Sequence, residues 1–91
     1  MESIKKALNT FLRTAGIERA VLQTKALLVW NEVVGEVVAS NTFPEEVKHG
    51  TLVVRVKTPV WRNELSLRKR EILHGINRAL GKNVIKDIRL I

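Results

Sequence analysis

The segment FPEEVKHGTLVVRVK, residues 43–57, decides the fold because two runs of β-forming residues meet at His49-Gly50. Glycine readily adopts the positive φ that a two-residue hairpin turn requires. If these two residues form the turn, the numbers of paired residues sum to 99. The sequence therefore predicts a β-hairpin in a defined register, because a slip of one residue would exchange its two faces.

The predicted register gives the hairpin an apolar inward face and a basic outward face. The inward residues would be Phe43, Glu45, Val47, Leu52, Val54 and Val56. The outward residues would be Pro44, Glu46, Lys48, Thr51, Val53, Arg55 and Lys57. A cationic sheet face deters edge-to-edge association, and it also suits phosphate binding, so both interpretations of the outward face stay open.

Two helices are predicted before the hairpin. The first would end at Gly16, and its apolar stripe would consist of Ile4, Ala7, Leu8, Phe11, Leu12 and Ala15. The second would run from Glu18 to Ser40 through Ala20, Leu27, Trp30, Val34, Val37 and Val38. Val21, Leu28 and Val29 widen its apolar arc, which predicts that neighbouring elements cover it on two sides. We interpret Gly35 as a close approach to the sheet and Asn41 as the left-handed residue that ends the helix.

A third helix and a last strand are predicted after the hairpin. Thr58-Pro59 is typical of a helix start and Gly81 of a helix stop, so the helix would end at Leu80. Its buried stripe would consist of Trp61, Leu65, Ile72, Ile76 and Leu80. The strand would span Val84 to Ile91, with Ile88 and Leu90 facing inward.

The order of predicted elements is α-α-β-β-α-β, which indicates an α+β fold with a three-stranded sheet covered by helices on one face. We expect a single domain over residues 1–91, with an N-terminal helix over 1–16 and the core over 17–91. The chain has no cysteine, and its longest apolar run, Ala26 to Trp30, is far short of the ~20 residues of a membrane span. These features predict a cytoplasmic protein with no membrane partner.

The residues that carry chemistry in enzymes are sparse in this chain. His49, His74 and Asp87 are its only histidines and its only aspartate, and no base has an evident orienting partner. Glu71 and His74 match the Glu-x-x-His spacing of metal-binding bundles, but the second copy that such a site needs is missing. We therefore predict no enzyme activity, no catalytic residue, no metal and no cofactor.

The net positive charge is confined to one half of the sequence. Residues 1–45 hold five Lys/Arg and five Glu, whereas residues 46–91 hold eleven Lys/Arg against four Asp/Glu and so carry the whole net charge of +7. A domain with this asymmetry attracts polyanions, of which nucleic acid is the commonest. We predict that the surplus forms one continuous exposed surface.

Eight basic residues are the candidate contacts to nucleic-acid phosphates: Lys48, Arg55, Lys57, Arg62, Arg68, Lys69, Arg70 and Lys82. On a single helix, three consecutive charges such as Arg68 to Arg70 fan over about 200° of the circumference. Trp30 is predicted to lie in the core. Trp61 is also favoured as a core residue, although a partly exposed indole could anchor a protein partner or stack a base, and we assign Trp61 and Arg78 as candidate partner-binding residues.

An ordered set of short segments in this chain resembles the DciA family. The matching segments are Trp30 to Gly35 with Ala39, Thr42 and Pro44, Gly50 to Val56, Trp61 with Glu64-Leu65, Ile72-Leu73 and Ile76-Asn77. DciA proteins act with the DnaB replicative helicase in bacteria that lack a dedicated ATPase loader. The similarity spans residues 24–91, and it is the order of the segments that is specific.

The resemblance implies a KH-like fold, delivery of the replicative helicase to DNA, and single-stranded DNA as a ligand in the bacterial nucleoid. KH domains proper grip nucleic acid with a GxxG loop between paired helices, and this sequence has no such loop. Two alternatives stay open. One is a KH-like module that binds RNA, for instance ribosomal RNA, and the other is a protein-interaction adaptor whose charge only maintains solubility.

Overall fold

The computed structural model describes the backbone of residues 2–91 and the side chains in that range other than those of residues 2, 12, 13 and 15. In chain order its elements are α1 (Glu2–Val34), α2 (Glu36–Ala39), β1 (Thr42–Lys48), β2 (Thr51–Val56), α3 (Pro59–Leu67), α4 (Lys69–Leu80) and β3 (Asp87–Leu90). The predicted α+β fold and its element order are confirmed, with the third predicted helix divided into α3 and α4 at Arg68. The last strand begins three residues later than predicted.

The helix boundaries before the hairpin differ from the prediction. Gly16 lies inside α1, which runs without a break to Val34, so the predicted stop at Gly16 is wrong. The break occurs at Gly35, whose φ of 85° and ψ of 167° are accessible essentially only to glycine. A Cβ at Gly35 would meet open space, so the predicted close approach to the sheet is wrong as well. Asn41 is not left-handed, since His49 is the one non-glycine residue with positive φ in the part described.

Helix α1 packs on the rest of the protein with one side of its C-terminal half. Ala26 and Trp30 are fully buried there, whereas Val21 and Leu28 are exposed, so the predicted two-sided coverage is wrong. The helix is about 50 Å long, and the molecule extends 59 Å along its longest axis. The N-terminal part of α1 therefore protrudes, and of its predicted stripe Ile4, Leu8 and Phe11 stay exposed. The side chains of Leu12 and Ala15 lie outside the described residues.

The hairpin has the predicted turn and half of the predicted register. His49 and Gly50 both have positive φ, and Lys48, Val47 and Glu46 pair with Thr51, Leu52 and Val53 as expected. A β-bulge at Glu45 then shifts the pairing by one residue, so Phe43 pairs with Arg55 and Thr42 with Val56. The shift exchanges the two faces. Thr42 is buried and Phe43 is exposed, which corrects the predicted inward position of Phe43.

The core lies between one face of the sheet and the helices. Strand β2 is central, antiparallel to β1 and parallel to β3. Its inward residues are buried with Ile88 of β3, against Trp30, Leu65 and Ile76 of the helices. Trp30 lies in the core as predicted, and its indole Nε1–H donates to Thr42 Oγ1 at 2.9 Å. The predicted helix start and stop after the hairpin are confirmed: Thr58 Oγ1 accepts from the Trp61 N–H, and Gly81 is left-handed.

Asn77 fixes the connection between α4 and β3. Its Oδ1 accepts from the backbone N–H groups of Val84 and Ile85, and its Nδ2–H donates to the Ile85 carbonyl at 2.8 Å. The three hydrogen bonds satisfy backbone groups that no helix or sheet partner serves. The loop therefore delivers the buried Ile85 and the start of β3 to a fixed place beside β2.

Helices α1 and α4 approach closely at Gly75. A Cβ placed on Gly75 would lie 2.8 Å from Cγ1 of Val33, which is closer than such atoms pack. The β-branched valine has little rotational freedom on a helix, so it cannot turn away. Glycine at position 75 is what allows the two helices to meet.

We expect Gly75→Ala to lower the free energy of unfolding by up to about 2 kcal/mol, because an overpacking cost of about 1–3 kcal/mol outweighs the roughly 1 kcal/mol by which alanine favours a helix. Urea denaturation followed by circular dichroism measures the loss. The double variant Val33→Ala/Gly75→Ala removes the clashing methyl groups and should recover part of the stability. Gly75→Ala at or above wild-type stability would contradict the close approach.

Candidate nucleic-acid interface

The outward face of the sheet is built from three cross-strand rows. The register places Lys48 beside Thr51 and Asp87, then Glu46 beside Val53 and Arg89, and then Phe43 beside Arg55. Cross-strand partners have Cβ atoms about 5 Å apart and share a face. No helix covers this face in the described part of the chain, and both its arginines are exposed.

Helix α3 and the start of α4 extend this face beyond the sheet. A shallow concavity of about 920 Å³ is lined by Lys48 and Arg89 from the strands together with Arg62 and Lys69 from the helices. Arg62 also lines a second concavity with Arg55 and Lys57, and Lys69 lines a third with Arg70. We call this connected surface the basic face; its seven basic residues are Lys48, Arg55, Lys57, Arg62, Lys69, Arg70 and Arg89.

The basic face retains a positive surplus after its carboxylates are counted. Glu45, Glu46 and Asp87 also line it, so seven cations against three anions leave a formal charge of +4. Glu45 forms an ion pair with Arg55, and Asp87 lies 3.9 Å from the Lys69 Nζ. The remaining five cations have no carboxylate within 4.0 Å among the described side chains. Exposed pairs of this kind contribute little energy, so an anionic ligand can displace them.

Two of the eight sequence candidates lie away from the basic face. Arg68 lies at the junction of α3 and α4 and lines a groove formed with α1. Its Nη2 lies 2.7 Å from Glu64 Oε1, and the two side chains form an ion pair. Lys82 follows α4, and its Nζ lies 3.5 Å from Oε1 of Glu18 in α1, with which it forms an ion pair. The structure therefore brings together Lys48, Arg55, Lys57, Arg62, Lys69 and Arg70, and it separates Arg68 and Lys82 from them.

Arg89 and Phe43 lie on or beside the basic face but are not among the eight candidates predicted from the sequence. Arg89 alternates with the inward Ile88 and Leu90, which was a usable signal for an outward position, but its neighbours depend on the parallel pairing of β3 with β2. Phe43 is 70% exposed because of the bulge at Glu45. Nothing in the strand's alternation marks where such a bulge occurs.

Several residues in the segments that resemble the DciA family have structural roles in the fold. Trp30 and Thr42 share a buried hydrogen bond, Gly35 breaks the helix, Gly50 closes the hairpin turn, and Asn77 fixes the last loop. The chain matches the family model described as "Dna[CI] antecedent, DciA" over residues 3–90. It belongs to the DciA family.

Several curated relatives of this DciA-family chain are named only as UPF0232 proteins. The one from Rhodococcus jostii is 29% identical over 82 residues, covering 90% of this chain and 44% of the relative. The one from Corynebacterium glutamicum is 27% identical over 89 residues, covering 98% of this chain and 50% of the relative. The chain thus spans about half the length of the curated relatives it matches.

The two candidate partner-binding residues of this DciA-family chain lie in different surroundings. Arg78 is exposed at the end of α4 and lines the groove between α1 and α4 with Val33, Val34 and Val38. Glu71 and His74 line the same groove. Trp61 is half-buried at the start of α3 and packs against the core.

Membrane spans, metal sites and the GxxG loop of KH domains were each considered for this DciA-family chain. Within residues 2–91, no helix combines the length and the hydropathy that crossing a bilayer requires. The described side chains include no group of three or more His, Asp or Glu residues placed to hold a metal ion. The α3–α4 junction at Leu67-Arg68-Lys69 contains no glycine, so the helix pair is joined without a GxxG loop.

Proposed function

We propose that this chain is a non-enzymatic DNA-replication factor that binds a DnaB-type replicative helicase and single-stranded DNA and thereby assists helicase loading. Family membership supports the replication role. The observation that carries the DNA-binding part is the basic face, where seven cations from three strands, two helices and the segment after β2 are connected by shared concavities.

The proposed mechanism of DNA binding is electrostatic. Flexible lysines and arginines on an open sheet face contact backbone phosphates and impose little sequence preference. With three to six such contacts to a single strand, the logarithm of the binding constant should fall against the logarithm of the salt concentration with a slope of roughly −2 to −4. Arg68 and Lys82 are not included among these contacts, since each lies elsewhere and has its own carboxylate partner.

For the helicase, the proposed contacts are Arg78 and the exposed part of Trp61. The groove beside Arg78 has an apolar floor formed by Val34, Val38 and Ile72 with charged residues at its rim. Such a groove suits an amphipathic element of a protein partner better than it suits a polyanion. It lies apart from the basic face, so helicase and DNA could be bound together.

The test is co-purification with the replicative helicase of the same organism, with and without single-stranded DNA, alongside titration of oligothymidylate at several salt concentrations. We expect the helicase to be retained in both cases and the salt slope to be negative in the range given. A flat salt response rejects electrostatic DNA binding. Clearly tighter binding of an RNA of equal length would favour an RNA-binding module, and helicase capture without any nucleic-acid binding at low salt would favour an adaptor.

A further inference from the structure

Phe43 is an aromatic residue of strand β1 whose side chain lies on the outward, solvent-exposed face of the sheet. Large apolar residues of a half-buried strand normally face the core, and unbroken pairing would place Phe43 there. The β-bulge at Glu45 turns it outward and leaves 70% of the residue exposed, while Thr42 takes the inward position. Bulges re-aim side chains in this way and are enriched next to functional sites.

The surroundings of Phe43 are cationic. It lines a concavity of about 430 Å³ with Arg55, Lys57 and Arg62. Arg55 is its direct cross-strand partner and is held by Glu45. Lys57 and Arg62 have no carboxylate within 4.0 Å among the described side chains. The concavity thus combines one flat apolar surface with two positive groups that have no carboxylate partner among the side chains that the structure describes.

This combination matches a nucleotide in chemistry. A nucleotide has a flat base that stacks on an aromatic ring and a phosphate that binds lysine or arginine. An apolar protein segment would cover the ring but would leave the surrounding charges unpaired in a drier environment, which is unfavourable. The charges around Phe43 therefore favour a ligand that is both aromatic and anionic.

We propose that Phe43 is a stacking platform for one base of a single-stranded nucleic acid, with Lys57 and Arg62 holding the flanking phosphates. The inference rests on the proposed nucleic-acid binding and adds to it a contact to a base. Stacking tolerates every base, because each has a π face, so the contact increases affinity without creating a sequence code.

The experiment compares Phe43→Leu with the wild type, using oligothymidylate and an abasic oligonucleotide of the same length. Leucine keeps an apolar side chain but loses the flat ring, and we expect about 5-fold or greater loss of affinity for oligothymidylate. The salt slope should stay the same because no phosphate contact is removed. On the abasic oligonucleotide, Phe43→Leu and the wild type should bind equally. Phe43→Trp keeps a flat ring and should bind oligothymidylate at least as tightly as the wild type.

Phe11→Leu is the matched control, since Phe11 is 67% exposed on the protruding part of α1, away from the basic face. It should bind oligothymidylate like the wild type, and thermal unfolding should show that both leucine variants are folded. If the wild type binds oligothymidylate and Phe43→Leu binds it equally well, the stacking platform is wrong while the proposed function stands. If the wild type binds neither oligonucleotide at low salt, the proposed DNA binding itself is wrong, and the platform with it.

Discussion

Replacing Lys57 and Arg62 together by glutamine should weaken binding of oligothymidylate by about 25-fold at 0.1 M salt. Each phosphate contact to a single strand releases about 0.7 of a counterion, so at 0.1 M salt each lost contact lowers the logarithm of the binding constant by about 0.7. Both residues are exposed, and neither has a carboxylate partner among the described residues, so their loss should leave the fold intact. The magnitude of the salt slope should fall by about 1.4.

The control for this prediction is Lys5→Gln/Lys6→Gln, which removes two positive charges from exposed positions on the protruding N-terminal part of α1, away from the basic face. Both double variants lower the formal net charge from +7 by two. Fluorescence anisotropy of a labelled oligonucleotide at several salt concentrations gives the affinity and the slope for each variant. An equal loss in both variants would mean that overall charge attracts DNA and that the basic face is not the contact surface.

The hairpin shows what local sequence can and cannot determine. The turn at His49-Gly50 was predictable because glycine permits the positive φ of such a turn, and this fixes the pairing of the nearest residues. The bulge at Glu45 was not predictable from alternation, since an extra residue leaves the pattern of apolar residues almost unchanged. It is explained by tertiary contacts, because Thr42 must face inward to accept the hydrogen bond from Trp30.

The helices show a similar limit. Gly16 and Gly35 are both single glycines in apolar periodic segments, yet α1 continues through the first and breaks at the second. A glycine inside a helix costs roughly 1 kcal/mol, which a long helix can accommodate. The break at Arg68 has neither glycine nor proline to mark it. The break places Leu65 and Ile72 on two different helices, and both side chains are buried in the core. This arrangement depends on packing against the sheet, which the local sequence does not reveal.

The composition of the candidate site was predictable, but its arrangement depended on the fold. The cationic half of the sequence identified six residues of the basic face, and strand alternation correctly grouped Lys48 with Arg55. The contribution of Arg89 required the parallel pairing of β2 with β3, which sequence neighbours do not reveal. Arg68 and Lys69 are adjacent in sequence, but they lie at the junction of two helices and line separate concavities.

Trp30→Ala should remove about 3–5 kcal/mol of the free energy of unfolding, the usual cost of deleting a large buried aromatic side chain. Trp30 is fully buried among residues of α1, the sheet and α4, so its removal leaves a cavity that rigid neighbours cannot fill. A domain of this size has a total stability of about 5–15 kcal/mol, so the variant should be partly unfolded at moderate temperature. Urea denaturation followed by circular dichroism measures the change.

The hydrogen bond of Trp30 can be separated from its packing through Thr42, whose hydroxyl accepts from the indole N–H and donates to the Val38 carbonyl at 2.8 Å. Thr42→Val keeps the shape but leaves the buried N–H without an acceptor, which should cost about 1–3 kcal/mol. In the Trp30→Phe background the same substitution should cost less, because no indole N–H remains to be satisfied. A Trp30→Ala variant that loses under about 1 kcal/mol would contradict the burial on which the packing of α1 against the sheet depends.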